Sequence, residues 1–244
     1  MIGVAVLGAA GRMGQRVCQA VDGAPDLRLV AGLDVGDDRA GARGADVVVD
    51  FTCPDAVMDN LRWALDEGFH AVVGTTGFSP ERLDQVRAWT EAAPGTGVLV
   101  ASNFSIAAVL MMRFAAAAAP YFESVEVIEL HHPRKADAPS GTAVSTARAI
   151  AAARAGAGCA AMPDATASSL DGARGAVIDG VHIHSVRSQG LFAHQEVVLG
   201  NPGEQLTIRD DSFDPASYLP GVLAGVRYVV AHPGLTVGMD ALLA

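Results

Sequence analysis

The sequence predicts an α/β protein in which a Rossmann-like, doubly wound parallel sheet is followed by a second α+β domain built on an open mixed sheet. Two observations predict this architecture. Short apolar strands alternate with helical stretches over residues 1–104, whereas after residue 120 several strands follow one another with a single helix among them. We expect the first domain to span residues 1–104, completed by a C-terminal helical segment at 213–244, and the second to span residues 105–212.

Composition limits the kinds of protein that this chain can be. Of its 244 residues, 50% are hydrophobic and 18% charged, and the formal net charge is −10 at pH 7. Nucleic acid or an acidic membrane as partner would call for a basic surface, so the charge argues against both. We find no uncharged apolar run of about 18 residues and no basic segment before the first strand. We therefore expect a cytoplasmic protein without a signal peptide.

The three cysteines, Cys18, Cys53 and Cys159, are far apart and lack the spacing of metal ligands. An odd number of such cysteines is typical of a reducing compartment rather than of a disulfide framework. We expect reduced thiols in or near the core, and no metal site.

The first strand, residues 2–8, runs into the glycine loop Gly8-Ala9-Ala10-Gly11-Arg12-Met13-Gly14, and a helical stretch follows to about Ala24. Strand, glycine loop and helix open a dinucleotide-binding unit, in which a helix N-terminus holds the pyrophosphate. A second strand, 27–33, ends at Asp34, about twenty residues beyond the loop, where an acidic side chain accepts hydrogen bonds from the adenosine ribose. The alternative is that Asp34 is an ordinary turn residue before Gly36.

The rest of the first domain repeats this alternation. Strands are predicted at 46–52, 70–73 and 98–101, with Pro54 opening the helix 54–67 and a further helix at 80–92. In such sheets ligands bind beyond the carboxyl ends of the strands. The loops at Gly8, Phe51, Gly74 and Asn103 all fall on that edge, although each alone is also compatible with a simple turn.

The second domain is predicted to open with a helix at 105–119, which Pro120 stops. Strands follow at 124–131, 181–188, 192–199 and 204–209, with a Gly- and Ala-rich segment, 156–176, between the first two. We expect their outward faces to be rich in Val, Ile and Leu, more than one helix covers, and this predicts an interface. A last helical segment, 215–230, is expected to pack back on the first domain.

The stretch Glu129 to Ala143 concentrates the reactive side chains. It holds two adjacent histidines, His131 and His132, and Lys135, the only lysine among seventeen basic residues. Pro139-Ser140-Gly141-Thr142 then opens a helix to about Arg154, with Ser140 as N-cap and backbone N–H groups at the helix start that attract an anion. The alternative is a strand end with a solvated lysine. Two imidazoles, an ammonium and a helix N-terminus favour a pocket for a small carboxylate with a proton donor.

These motifs resemble those of the 4-hydroxy-tetrahydrodipicolinate reductases, long called dihydrodipicolinate reductases, of the diaminopimelate branch of lysine biosynthesis. The resemblance covers essentially the whole chain, and its most specific part is the stretch from Glu129 to Ala143. One departure is Arg134, where many members have a third histidine. The cofactor loops match in order at Gly8…Gly11-Arg12-Met13-Gly14, Val49-Asp50-Phe51-Thr52, Gly74-Thr75-Thr76-Gly77 and Asn103-Phe104-Ser105.

The resemblance implies reduction of a cyclic imine dicarboxylate by NADH or NADPH, after water is lost from the hydroxylated substrate, in a homotetramer. It implies His131 as proton donor and Lys135 as the catalytic and substrate-binding lysine. Substrate contacts are implied at His132, Lys135, Ser140, Gly141 and Thr142. Cofactor contacts are predicted at Gly8, Gly11, Arg12, Met13, Asp34, Phe51, Gly74, Thr75, Thr76, Ala101, Asn103 and Phe104.

Two other functions are compatible with the dinucleotide-binding fold. Another amino-acid dehydrogenase would share residues 1–104, but it has no need of His-His-x-x-Lys followed by Ser-Gly-Thr. A protein that senses the NAD(H) ratio without turnover has no need of the imidazole and ammonium pair, which is present.

Overall fold

The computed structural model describes residues 1–243 and divides the chain into two compact units. The first unit comprises Met1–Ile106 and the chain from Pro215 onward, and the second comprises Ala107–Asp214. Within residues 1–243, no helix combines the length and the apolar character needed to cross a membrane.

Strands and helices alternate at the start of the chain, whereas four strands follow one another between residues 176 and 212. The strands are β1 (Ile2–Leu7), β2 (Leu27–Leu33), β3 (Val47–Asp50), β4 (His70–Val73), β5 (Gly97–Val100), β6 (Ser124–His131), β7 (Ala176–Ile178), β8 (Val181–Arg187), β9 (Ala193–Asn201), β10 (Glu204–Ser212) and β11 (Gly234–Val237). The α-helices are α1 (Arg12–Asp22), α2 (Val57–Asp66), α3 (Pro80–Ala92), α4 (Ile106–Ala118), α5 (Gly141–Gly156) and α6 (Leu219–Ala231).

The first unit is built on a six-stranded sheet in the order β11-β5-β4-β3-β1-β2, and every pairing in it is parallel. The central strand β3 is a valine run with all four residues buried, as expected of a strand covered on both faces. The doubly wound parallel sheet confirms the predicted fold class. Its carboxyl edge gathers the ends of β1, β2 and β3 side by side.

Two details of the first unit differ from the sequence prediction. Strand β11, Gly234-Leu235-Thr236-Val237, was not predicted, because it lacks the continuous apolar run that marks the equally short β3 and β4. The helix expected at 54–67 begins at Val57, since the N–H groups of Ala56 and Val57 both donate to the carbonyl of Cys53 and form a turn there. Pro54 therefore lies in that turn, before the helix.

The second unit is built on a five-stranded sheet in the order β10-β9-β6-β8-β7. Strand β6 runs parallel to β8 and antiparallel to β9, so the sheet is mixed, as the predicted fold class requires. Helix α5 covers one face with Ala143, Ala147 and Ile150, which pack against a cluster that includes Val127 and Ile183. The short strand β7 was not predicted.

The opposite face of this sheet is more polar than the sequence predicts. Glu126 on β6 pairs with His184 of β8, Nε2 to Oε2 2.5 Å, and with Arg174, whose Nη2 lies 2.5 Å from Oε1. Farther across the sheet, Arg209 of β10 pairs with Glu196 of β9 at 2.7 Å. Oppositely charged side chains on neighbouring strands stabilise a sheet, whether directly opposite, as Arg209 and Glu196 are, or diagonal, as Glu126 and His184 are. The exposed face is therefore a mixture of such pairs with half-buried aliphatic side chains.

The C-terminal end of α5 is fixed by Arg154, a buried residue with 7% exposure. Its guanidinium donates to the backbone carbonyls of Ala119, Phe122, Glu123 and Ala160. Only the planar five-donor fork of arginine reaches so many acceptors at once. We predict that Arg154→Lys lowers the free energy of unfolding in urea by about 2–4 kcal/mol. The control Arg148→Lys, on the exposed side of the same helix, should change it by less than about 0.5 kcal/mol, and equal losses would contradict this role.

Candidate functional site

A cleft of about 480 Å³ lies at the carboxyl ends of β1, β2 and β3. We call it the cofactor cleft, and it contains four of the twelve predicted cofactor residues, namely Gly8, Gly11, Asp34 and Phe51. Its remaining lining residues are Leu7, Leu33, Val35, Gly36, Asp37, Arg39, Thr52, Cys53, Ala56 and Asn60.

Cys53 is exposed, so the expectation that all three cysteines lie in or near the core is wrong for this one. It lies three residues beyond the end of β3 and lines the cleft.

The glycine loop is shaped to bring backbone close to a ligand. Gly8 has φ +77°, and a Cβ on Gly14 would stand 2.0 Å from the carbonyl oxygen of Gly8, so a side chain at Gly14 has no room. Gly11 is the N-cap of α1 and supplies no side-chain cap, which leaves the first turn of the helix open to a phosphate. These features fit the pyrophosphate of a dinucleotide.

Asp34 is placed as predicted, in the cofactor cleft at the end of β2. Its carboxylate accepts from the backbone N–H groups of Val35 and Ala10, both at 2.8 Å, and these bonds lower the pKa of Asp34. The side chain is therefore ionised and fixed in orientation. An ionised carboxylate has about four acceptor positions, so two remain for ribose hydroxyls.

Sequence reasoning missed Arg39 as a member of this cleft. After Asp34 the chain runs through Val35-Gly36-Asp37-Asp38 and then turns back, so the guanidinium reaches the cleft five residues later. It donates to the Asn60 side chain at 2.7 Å and lies 4.9 Å from the centroid of the Trp63 ring. Asn60 in turn donates to the buried Asp50 carboxylate at 2.8 Å. The cation is thus bound to a network that begins inside the sheet.

The other predicted cofactor residues lie outside the lining of this cleft. Thr75 and Thr76 line a smaller cavity of about 230 Å³ beyond β4 and β5, together with Val237 and Gly238 of the unpredicted β11 region. Phe104 is buried, and its ring lies 5.9 Å from that of Phe51. Of the remaining predicted cofactor residues, Arg12 and Met13 lie in the first turn of α1, and Gly74 lies against the Phe51 ring. Ala101 is buried, and the Asn103 side chain accepts from Ser105 N.

The second unit contains the predicted catalytic residues on a segment that we call the histidine–lysine loop, residues 131–140. It connects β6 to α5, and the Ala138–Pro139 peptide bond in it is cis. Ser140 is the N-cap of α5, with its hydroxyl accepting from Ala143 N at 3.2 Å, as predicted. A turn closed by Lys135 N donating to His132 O at 3.2 Å brings the lysine back toward the strand end.

His131 is anchored by a carboxylate that sequence reasoning did not assign. Its Nδ1 lies 2.5 Å from Oε2 of Glu129, which is fully buried. Arg187 of β8 donates to both oxygens of the same carboxylate, at 2.8 and 2.9 Å, and to the Asp137 carbonyl at 2.7 Å. Burial raises the pKa of Glu129, but the hydrogen bonds from His131 and Arg187 outweigh it and hold the value at about 2. Glu129 is therefore an ionised carboxylate in the interior.

Lys135 and the start of α5 converge on one carboxylate, which belongs to Asp137. Lys135 Nζ lies 2.7 Å from Oδ1, and Gly141 N donates to Oδ2 at 3.3 Å. The lysine side chain is 23% exposed, so it is not a freely solvated group. The sequence predicts that the N–H of Gly141 binds an anion, and in this structure it binds the Asp137 carboxylate. These contacts show that the corner has the shape and charge to bind a carboxylate.

The two remaining substrate candidates lie on this loop and in the helix turn that follows it. His132 follows β6 directly, and its buried Nδ1 has no hydrogen-bond partner within residues 1–243. Thr142 is in the first turn of α5, and its carbonyl accepts from Thr146 at 2.8 Å. A buried polar atom without a partner is uncommon in a folded protein and typical of a ligand site.

Comparison with known proteins matches the whole chain to one family. Residues 2–104 match the family model "Dihydrodipicolinate reductase, N-terminus", and residues 107–243 match "Dihydrodipicolinate reductase, C-terminus". A 4-hydroxy-tetrahydrodipicolinate reductase of Thermobifida fusca is 64% identical over 244 residues, covering 100% of this chain and 99% of the relative. One from Cutibacterium acnes is 61% identical over 243 residues with the same coverage.

Solved structures agree. The dipicolinate-bound dihydrodipicolinate reductase of Paenisporosarcina sp. TG-14 is 37% identical, covers 99% of each chain and superposes with a TM-score of 0.85. An engineered D-amino acid dehydrogenase bound to NADP+ shares the fold, with a TM-score of 0.56 at 15% identity over 100% of this chain and 96% of that one.

Proposed function

This chain belongs to the dihydrodipicolinate reductase family, oxidoreductases of lysine and diaminopimelate biosynthesis, and we propose that His131 and Lys135 are the residues on which its reaction depends. It reduces 4-hydroxy-tetrahydrodipicolinate with a nicotinamide cofactor, and the resemblance stated from the sequence is confirmed. The observation that supports the residue assignment is the convergence of Lys135 and the α5 N-terminus on one carboxylate, beside an anchored imidazole.

We infer that a substrate carboxylate replaces that of Asp137 at Lys135 Nζ and Gly141 N. The relative from Paenisporosarcina holds dipicolinate, a flat aromatic dicarboxylate, which supports a small dicarboxylate as the ligand of this chain. Ser140 caps helix α5, Thr142 lies in the first turn of that helix, and His132, with its buried Nδ1, lies on the histidine–lysine loop. A lysine and a helix N-terminus then bind one substrate carboxylate locally. Their positive charge offsets the repulsion of an anion by the net negative charge of the protein.

The chemistry needs a hydride, which the reduced nicotinamide supplies when bound, and a proton. Loss of water from the hydroxylated substrate gives a conjugated cyclic imine. Hydride is added to one ring carbon while the neighbouring carbon, which gains enamine character, takes up a proton in the same step. His131 is the proposed donor of that proton. Because Glu129 occupies Nδ1, the ring has Nε2 left for the substrate.

The assay that tests this function follows nicotinamide absorbance with freshly generated 4-hydroxy-tetrahydrodipicolinate. We expect oxidation of NADH that depends on this substrate and is inhibited competitively by dipicolinate. Oxidation that proceeds equally without the substrate, or inhibition that extra substrate does not relieve, would contradict the proposed carboxylate site.

We predict that NADH is at least as good a cofactor as NADPH. The ionised Asp34 accepts from a ribose hydroxyl and repels a 2′-phosphate. Arg39 is the cation in the same cleft, but it is bound to Asn60 and stacked on Trp63. The measurement is kcat/KM with each cofactor, and Asp34→Asn should shift the ratio toward NADPH. A tenfold preference of the parental enzyme for NADPH would show that Arg39 or Arg12 holds the phosphate.

We also propose that the protein is a homotetramer assembled through the second unit, and a cytoplasmic one. The support is the sheet face opposite α5, where half-buried Ile128, Leu130 and Val198 lie among ion pairs. Light scattering at micromolar concentration should give four times the chain mass of 25.0 kDa. A monomeric mass would contradict the proposal.

A further inference from the structure

We propose that Glu129 is a positioning residue for the reaction, orienting His131 and fixing its tautomer, with Arg187 as the counter-ion that keeps Glu129 in place. This inference rests on the proposed role of His131 as proton donor. It assigns a function to a buried carboxylate that lies outside the cofactor cleft and holds the histidine–lysine loop through His131 and Ser140 N.

Strand alternation places the two side chains together. Residues two apart on a strand face the same side, and Val125, Val127 and Glu129 of β6 all point under α5 and are buried. His131 is the next residue in that series, at the end of the strand, and its side chain is 13% exposed. The imidazole therefore lies at the edge of the buried layer under the start of α5, and its Nδ1 is 2.5 Å from the buried Glu129 carboxylate.

The charge on Glu129 is maintained by β8. In the parallel register His131 lies beside Arg187, whose guanidinium binds both carboxylate oxygens, and Ser140 N adds a third N–H at 3.3 Å. A bidentate arginine pair is among the most directional contacts of a carboxylate. Since Arg187 and Glu129 neutralise each other, a proton added to His131 leaves one net positive charge at a site for a dianion.

The bond to Glu129 also decides what His131 can do. An ionised carboxylate accepts, so Nδ1 carries the proton and Nε2 is the nitrogen that exchanges one with a ligand. A carboxylate in this position fixes the tautomer and the orientation of the ring, as in hydrolase triads. Loss of such a supporting partner typically costs about 10- to 100-fold in activity.

A purely structural ion pair is the competing explanation, and the same strand provides a control for it. Glu126 also binds one histidine, His184, and one arginine, Arg174, both at 2.5 Å. It lies on the opposite face of β6, away from α5 and the histidine–lysine loop. The two glutamates thus share residue type, strand and kinds of partner. They differ in burial, since Glu126 is 30% exposed and Glu129 fully buried, and in whether the histidine is the proposed proton donor.

The experiment is a double-mutant cycle on kcat and KM with Glu129→Gln, His131→Gln and the double variant, beside Glu126→Gln. We expect Glu129→Gln to lower kcat about 30- to 100-fold and to change KM by less than about threefold, because Lys135 Nζ and Gly141 N, the proposed ligands of the substrate carboxylate, are unchanged and glutamine keeps an acceptor for Ser140 N. The double variant should match His131→Gln alone, since Glu129 acts through that ring. Glu126→Gln should retain parental kcat at an unchanged mass by light scattering.

The outcomes separate this inference from the function on which it rests. Near-parental kcat in His131→Gln overturns the role of His131, and with it this inference. A loss in His131→Gln together with full additivity in the double variant, or parental kcat in Glu129→Gln, overturns only the positioning role. If Glu129→Gln does not fold, the cycle uses the variant that carries both Glu129→Gln and Arg187→Gln in its place. That variant removes the cation together with its carboxylate, so Arg187 is not left unpaired in the interior. The positioning role is again overturned by a parental kcat in this variant, or by full additivity when it is combined with His131→Gln.

Discussion

Lys135→Arg should lower kcat by about 10²- to 10³-fold, equivalent to several kcal/mol of lost transition-state stabilisation. Lys135 Nζ and Gly141 N meet at one carboxylate, with Nζ 2.7 Å and N 3.3 Å from its oxygens, a spacing set for a compact ammonium. Arginine keeps the charge but brings a wide planar fork, which cannot occupy the same point. The measurement is kcat with 4-hydroxy-tetrahydrodipicolinate, beside the NADH dissociation constant from fluorescence, which should not change.

A matched control lies one residue away. Arg134 is exposed on the same loop, and Arg134→Lys makes the reverse exchange at a position with no assigned contact to the substrate corner. It should retain parental kcat within about twofold, as surface exchanges usually do. Near-parental turnover in Lys135→Arg would make Lys135 an ordinary surface lysine and remove the central cation from the proposed site.

His131→Gln should cost about as much, 10²- to 10³-fold in kcat, since general acid catalysis typically contributes about 10²–10⁴. Glutamine occupies a similar volume and can still donate to Glu129, but it cannot deliver a proton at neutral pH. NADH binding should again be unchanged, because His131 lies outside the cofactor cleft. Steady-state rates at saturating NADH and substrate are the measurement.

His232→Gln is the control for that substitution, because His232 is exposed in the first unit and stacks on Tyr228 at 3.9 Å. It should leave kcat unchanged. Equal rates for parental enzyme and His131→Gln would mean that the proton comes from water or another group, and that Glu129 anchors a ring without a catalytic role.

Local patterns were sufficient where an element has its own signals. Strand β4, helix α3 and strand β6 have the predicted bounds, because continuous apolar runs, an N-terminal Ser-Pro and alternation mark them. Ser140 was recognisable as a cap from its position before an Ala-rich stretch. Strand β7 has only three residues, and β11, although as long as β4, lacks the continuous apolar run that marks β4.

The parts of the site that were missed depend on pairing between distant segments. Arg187 reaches Glu129 only because β8 lies parallel to β6, and nothing local to either strand specifies that register. Glu129 itself left a signal, namely an acid in a series of buried strand positions after Val125 and Val127, which requires a partner. Arg39 enters the cofactor cleft through a turn whose direction the intervening residues do not specify.

The central claim is that proton transfer and substrate binding depend on the histidine–lysine loop. Single-turnover kinetics test it most directly, with NADH-loaded enzyme in excess mixed rapidly with 4-hydroxy-tetrahydrodipicolinate and nicotinamide absorbance followed in time. We predict one fast phase for the parental enzyme and the same phase slowed by about 10²-fold or more in Lys135→Arg and in His131→Gln. A parental rate constant for this phase in both variants would contradict the claim.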